Sequence, residues 1–128
     1  MTNLVNVELT NLTGVGGTTT VQFQDTVVAG AADSVSLTAN NGNVGTLVVG
    51  SVTTANGGVE TINMTTATAA TTIGRLNSNI ETLNVAGDKA LTITTALNTT
   101  VTAIQAGTMT GALTLTTGVA TTALTVNT

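Results

Sequence analysis

Short runs in which apolar and polar residues alternate follow one another along the whole chain. In residues 80–85 (IETLNV), Leu83 and Val85 alternate with polar residues, and residues 90–95 (ALTITT) show the same alternation. A period of two with one apolar face predicts a half-buried β-strand. The predicted strands are 4–9, 19–24, 33–38, 46–49, 59–64, 70–73, 80–85, 90–95, 101–106, 112–117 and 122–127.

The runs resemble one another at every second place in the series. VETINM at 59–64 recurs as IETLNV at 80–85 and more loosely at 101–106 and 122–127, while ALTITT at 90–95 recurs as ALTLTT at 112–117. The repeating unit is therefore about 21 residues long and holds two different strands, a pattern typical of stacked repeat proteins. We predict an all-β fold, a parallel β-solenoid (β-helix) with two short strands per turn of about 21 residues.

We expect residues 1–128 to form a single β-solenoid repeat domain, with looser turns over 1–58 and regular turns over 59–128. An antiparallel sandwich also has many short, regularly spaced strands. It does not require that every second strand resemble its predecessor residue by residue, so the repeat favours the solenoid.

Equivalent residues of successive turns should stack about 4.8 Å apart as ladders. The inward ladders predicted from the repeat are Ile62, Leu83, Ile104 and Leu124 on one sheet, and Ile73, Ile93 and Leu115 on the facing sheet. Two Gly-containing connections, 56–58 and 85–88, are predicted corners, where a positive φ is often needed.

Composition narrows the range of functions. The chain has no His and no Cys, so the usual bases, nucleophiles and soft metal ligands are missing and we expect it not to be an enzyme. Its net charge of −4 disfavours nucleic acid. No apolar run is long enough to span a membrane, so we expect no membrane insertion. The first residues lack the pattern of a signal peptide, and we expect a piece of a longer chain.

Residues 58–64 and 80–88, followed by 90–94, resemble the repeats of bacterial surface-layer proteins of the Caulobacter and Campylobacter type, which leave the cell by type I secretion. The resemblance covers about residues 45–128. It implies a secreted β-solenoid coat at the bacterial cell surface, often ordered by calcium, with a C-terminal secretion signal in place of a signal peptide. The calcium-binding nonapeptide core GGxGxD is absent, because residues 14–17 and 56–58 lack the Asp that should follow.

Calcium ligands were therefore sought among single acidic residues, since calcium prefers several oxygen ligands. The weak candidates are Asp25, Asp33, Asp88, Glu60 and Glu81. The three Asp residues are equally well read as solvated or Asx-turn residues near strand ends. Glu60 and Glu81 occupy equivalent places in successive turns, and we expect them at a corner, where they bond backbone N–H groups or share a cation.

These patterns favour a structural module that assembles through lateral and end-to-end contacts with copies or neighbouring domains of the same protein. One alternative is a spacer or passenger segment of a large secreted adhesin. A second is an ice-binding solenoid that uses the Thr-x-Thr pairs at 92–94 and 114–116. A cell-surface polysaccharide is a further candidate partner, although aromatic platforms for sugar stacking are absent: Phe23 is the only aromatic residue.

Overall fold

The computed structural model describes the backbone of residues 3–118 and 123–128, and the side chains from residue 17 onward within those ranges. Its strands are β1 (Asn3–Phe23), β2 (Ser34–Ser51), β3 (Thr61–Asn77), β4 (Thr82–Gly87), β5 (Leu91–Ile93), β6 (Ala103–Met109), β7 (Leu113–Leu115) and β8 (Thr125–Asn127). The described residues contain no helix, so the expected all-β class is confirmed. The abundance of Thr, Val and Ile accounts for this, because their branched side chains suit the pleated strand.

Every pair of strands in the described chain is parallel. One row of strands runs in the order β1-β2-β3-β4-β6-β8, and a second row joins β3, β5 and β7. The long strand β3 belongs to both rows, since its residues 61–66 pair with β4 and its residues 71–73 pair with β5. We call each level of paired strands a rung.

The pairing register follows the sequence repeat. Thr61 pairs with Thr82, and Thr82 pairs with Ala103, each 21 residues further along the chain. Earlier rungs are longer: Asn3 pairs with Ser34 and Ser34 with Thr61. Parallel pairing at such short intervals stacks equivalent residues directly on one another.

The first three strands are longer than the sequence pattern predicted. The runs 33–38 and 46–49 both belong to β2, and the runs 59–64 and 70–73 belong to β3 or directly precede it. The backbone keeps its pairing through a bend where Asn41 and Thr68 adopt positive φ values of 68° and 62°. An alternation pattern locates the apolar residues, but it does not reveal whether pairing continues between two runs.

The core consists of two aliphatic ladders. Ile62, Leu83 and Ile104 pair in register and are buried, as predicted. Ile73, Ile93 and Leu115 form the second ladder in register, also as predicted, although Leu115 is only half-buried.

The prediction that Leu124 continues the first ladder is wrong, because Ile104 pairs with Val126. The last rung is one residue longer than its predecessors, so Leu124 precedes β8 and packs half-buried against the edge of the core. The predicted run 122–127 begins with Thr122, which lies outside the described residues.

Glycines occupy two corners that the sequence identified. Gly58 and Gly87 have φ values of 84° and 114°, a region that side-chain-bearing residues avoid. At Gly87 a Cβ atom would also overlap the backbone carbonyl oxygen of Thr66 on the preceding rung. This glycine is therefore required both by its own backbone conformation and by the close approach of its neighbour.

Candidate functional site

An acidic column lies immediately before the first strand of successive rungs. The N–H of Glu60 donates to the carbonyl oxygen of Asp33 at 3.0 Å, and the N–H of Glu81 donates to that of Glu60 at 2.8 Å. Thr102 continues the column by donating to the carbonyl oxygen of Glu81 at 2.9 Å. The stacking of Glu60 and Glu81 expected from the repeat is therefore present, and Asp33 is a further member that the sequence placed elsewhere.

The carboxylates of this column bind backbone groups. Glu60 Oε2 accepts the N–H of Asp33 at 2.7 Å, as expected for a corner residue. Asp33 is buried, with 3% of its surface exposed, and its Oδ2 accepts the N–H of Gly30 at 2.9 Å. Glu81 is exposed. These contacts hold the connection before β2 in place and assign Glu60 and Asp33 a structural task.

The remaining two acidic candidates have separate partners. Asp25 accepts hydrogen bonds from the hydroxyl and from the N–H of Thr53, the latter at 3.1 Å. The Thr53 hydroxyl, then the Ser51 side chain and the Thr53 N–H, lower the pKa of Asp25. Asp88 forms an ion pair of 2.7 Å with Lys89, and this hydrogen bond lowers the pKa of Asp88.

In the described part of the chain, no three His, Cys, Asp or Glu residues are grouped as a metal site would require. The weak calcium candidates Asp25, Asp33, Asp88, Glu60 and Glu81 are thus not brought together into a single site. A cation shared by Glu60 and Glu81 stays a prediction.

A column of amide side chains lies on the outer face of the β3-β4-β6-β8 row. Asn63, Asn84, Gln105 and Asn127 pair in register on successive rungs. Asn84 Nδ2 donates to Asn63 Oδ1 at 2.6 Å. These amides line a groove of about 360 Å³, which we call the amide groove. Sequence reasoning missed it, although an amide recurs two residues after each Glu-Thr or equivalent pair at the 21-residue interval.

A column of threonines lies on the other row. Thr72, Thr92 and Thr114 pair in register, so the predicted stacking of the Thr-x-Thr motifs holds at this position. The second position of the motif behaves differently, because the Thr94 hydroxyl donates to the carbonyl oxygen of Gly74 at 2.8 Å. Only one regular column of Thr side chains is therefore available on this face of the described strands.

The last described rung leaves part of the core uncovered. Val126 is 54% exposed, and a groove of about 390 Å³, the terminal groove, opens beside it. Its lining is largely apolar and includes Ile104, Ala106, Met109, Leu113, Leu115 and Val126. Burial of an aliphatic residue on these rungs requires a rung on each side, and β7 and β8 have a described neighbour on one side only.

No family model matches this chain, and no curated protein or solved structure is significantly similar to it. Among the described residues, no helix has the length and hydropathy needed to cross a membrane. The function must therefore be argued from the columns and grooves themselves.

Proposed function

We propose that this chain is a structural module of a bacterial surface layer or filament, built as a parallel β-solenoid that assembles through its sides and its end. The observation that carries the proposal is the in-register stacking of Ile62, Leu83, Ile104 and Val126 on successive rungs. Each rung is a template for the next, because it offers a row of backbone groups and an apolar ladder to a strand of similar sequence.

Two observations support the solenoid. All pairs of described strands are parallel, whereas a sandwich would be built mainly from antiparallel pairs. The two halves of β3 start two different rows, and both rows continue at intervals of 20 to 22 residues through Leu83 and Ile93. A coil that adds one strand to each row per turn produces this arrangement.

The proposed role is mechanical, with secretion to the cell surface as its setting. The resemblance of residues 58–64 and 80–88 to surface-layer repeats supports this setting. The side chains that line both grooves are amides, hydroxyls, a thioether and aliphatics, which suit packing and hydrogen bonding between protein surfaces. We therefore propose self-association rather than catalysis.

The end contact is proposed at the terminal groove. A second copy that places an apolar strand beside β8 would cover Val126 and extend the Ile62 ladder by one rung. Two exposed valines give a matched test, since Val52 is 53% exposed and Val126 54% exposed. Val52 lies after β2, in the connection to β3, and not in the terminal groove.

Sedimentation velocity over a range of concentrations tests this contact with Val126→Lys and Val52→Lys. We expect the unaltered chain and Val52→Lys to associate as concentration rises, and Val126→Lys to associate less. Equal behaviour of the two variants would refute the end contact. A chain that stays monomeric throughout would refute assembly and favour the alternative of a spacer segment in a secreted adhesin.

Calcium is proposed as an ordering ion at the exposed edge of the acidic column, where Glu81 lies above Glu60. Calcium should then raise the melting temperature of the unaltered chain but not that of the double variant Glu60→Gln, Glu81→Gln. If calcium leaves the melting temperature of the unaltered chain unchanged, the ion has no part in the proposal.

Ice binding is a second candidate function, favoured by the regular column of Thr72, Thr92 and Thr114. Ice-recrystallisation inhibition by the unaltered chain that is lost in Thr92→Lys would support it. No inhibition by the unaltered chain would eliminate it. The bond between the Thr94 hydroxyl and Gly74 leaves the second Thr column incomplete, and for this reason assembly is the preferred function.

A further inference from the structure

We propose that the amide groove is the seam along which two copies of this chain associate face to face, so that the lateral contact of the proposed assembly is located on the β3-β4-β6-β8 row. This inference rests on the proposed function in assuming that the chain self-associates. It specifies a surface and a partner that the general proposal leaves open.

The first argument is the repeat distance of the groove. Asn63, Asn84, Gln105 and Asn127 stand on successive parallel rungs, so their spacing is that of neighbouring strands, about 4.8 Å. A second copy of the same column has the same spacing without any adjustment. Amides on the two copies can therefore meet rung by rung along the whole seam, as they do in stacked Asn and Gln ladders between paired sheets.

The second argument is the hydrogen-bonding capacity of the amides. Within the chain, Asn84 uses one N–H to donate to Asn63 Oδ1. A carboxamide has two N–H donors and an oxygen that accepts two hydrogen bonds. A column bonded along its length by one donor and one acceptor per side chain retains capacity for a facing column. Two such columns satisfy each other, because every amide offers both kinds of group.

The third argument concerns Gly107, which lines the groove on β6. A glycine weakens a strand, and it is retained where positive φ, crowding or the close approach of another backbone requires it. Gly107 does not have a positive φ, and a Cβ added there would meet no atom within 4 Å. Neither reason internal to the chain applies, and close approach by a partner remains.

The backbone around Gly107 is shaped accordingly. Asn84 pairs with Gln105, but Ala86 pairs with Thr108, so β6 contains one residue more than β4 across this interval. Such a bulge bends a strand and often occurs next to a functional surface. Here it lies at the floor of the groove and places Ala86 and Gly107, the smallest lining residues, beside the amide column.

Charge selects the same face. The chain carries a net charge of −4, so two copies repel each other through most of their surfaces. None of the residues lining the amide groove is charged, whereas the acidic residues Asp25, Asp33, Asp88, Glu60 and Glu81 lie outside it. Two copies meeting at this groove avoid placing carboxylates directly opposite each other.

Single cysteine variants provide the first test, because the natural sequence contains no Cys and each introduced thiol is unique. Gln105→Cys places a thiol at the centre of the seam, and Thr92→Cys places one on the Thr column as the matched control. On mild oxidation we expect Gln105→Cys to give a disulfide-linked dimer and Thr92→Cys to remain monomeric. Equal cross-linking at the two positions would reflect random collision and would overturn the seam.

The second test blocks the groove without loading the fold. Gly107→Arg fits the chain because its Cβ meets nothing, so its melting temperature at low concentration should match that of the unaltered chain. We expect it to lose the cross-linked dimer when combined with Gln105→Cys. The control Thr114→Arg, on the exposed Thr column, should leave cross-linking intact. Retention of the dimer in the Gly107→Arg background would overturn the proposal.

Two further outcomes separate this inference from the proposed function and from another occupant. Chains that associate in sedimentation but do not cross-link through Gln105→Cys would preserve assembly and refute the seam. The Val126→Lys background should retain the cross-link, because the end contact is a different surface. If dextran protects the Gln105→Cys thiol from alkylation while a higher protein concentration does not, the groove binds a neutral glycan and the seam is wrong.

Discussion

The strands β1 to β3 and the strands β4 to β8 solve the same stacking problem in different ways. The first three contain 21, 18 and 17 residues and keep pairing through a bend, where Asn41 and Thr68 take positive φ. From β4 onward the strands contain three to seven residues, and Gly87 marks the corner. The comparison shows that one apolar repeat tolerates both a continuous and an interrupted backbone, provided that the rungs stay in register.

Burial divides the molecule along the same line. Val35, Ile62 and Leu83 are fully buried within one ladder, whereas Val126, in the same ladder, is half exposed. Their chemistry is similar, so the difference arises from the number of neighbouring rungs. The stability of the described rungs should therefore fall from the middle of the stack toward β8, as in other repeat arrays.

The largest expected effect comes from truncating one ladder residue in each setting. Leu83→Ala removes a fully buried side chain between two rungs and should destabilise the chain by about 2–5 kcal/mol, the usual cost of such a cavity. Leu115→Ala, at a half-buried position of β7, should cost less than half as much. Urea unfolding measures both. Similar losses would show that burial does not decline toward β8 as described.

A pair of glycine substitutions gives the next largest contrast. Gly87→Ala must adopt a φ of 114° and overlaps the Thr66 carbonyl oxygen, so we expect a loss of roughly 2 kcal/mol or more. Gly107→Ala meets no atom and needs no positive φ, so it should be neutral or slightly stabilising. Thermal melts at low protein concentration separate the two, and a destabilised Gly107→Ala would show that this glycine serves the fold.

Much of this architecture followed from the sequence. The 21-residue interval predicted the pairing of Ile62 with Leu83 and of Leu83 with Ile104, because a period-two pattern that repeats at fixed distance constrains both the buried face and the register. It failed at Leu124, because a single extra residue in the last connection shifts the paired position to Val126. Register errors of this kind arise in loops, where the hydrophobic pattern gives no count.

The candidate sites were less predictable. Glu60 and Glu81 were identified because they repeat, but Asp33 belongs to the same column and the irregular connection before β2 concealed it. The amide column was visible only as isolated Asn and Gln residues, which strand propensity disfavours or ignores. Its significance depends on the side on which each amide points and on the space beside Gly107, and both require coordinates.

Amide contacts should have a moderate effect that differs between the amide groove and the Asn residues around β3. Asn84→Ala removes the 2.6 Å bond to Asn63 and should cost about 1 kcal/mol, typical of one hydrogen bond. Asn77→Ala removes a longer contact of 3.4 Å with Asn56 and should cost less. Equilibrium urea unfolding of the monomers checks this order. A larger loss for Asn77→Ala would indicate that the regular amide column is not the stronger of the two.

The smallest expected effect concerns acid stability. Asp25 is bonded to Thr53, 28 residues away, so unfolding breaks these contacts, whereas Asp88 pairs with the adjacent Lys89, which stays close in the unfolded chain. Both carboxyls have a folded pKa below the ordinary value of 3.8. The stability they contribute is therefore present above that pH and is lost as the pH falls through the folded pKa. Both groups are exposed, and solvent screening keeps the effect small.

Asp25→Asn should accordingly lower the melting temperature slightly at neutral pH and reduce the further drop observed on acidification below pH 3.8. Asp88→Asn should change neither, because its partner is local in sequence. Calorimetry from neutral to acid pH compares the two variants with the unaltered chain. An acid-induced drop in Asp25→Asn as large as that of the unaltered chain would show that the Asp25–Thr53 contact, which ties the end of β1 to the end of β2, contributes nothing to holding the long strands together.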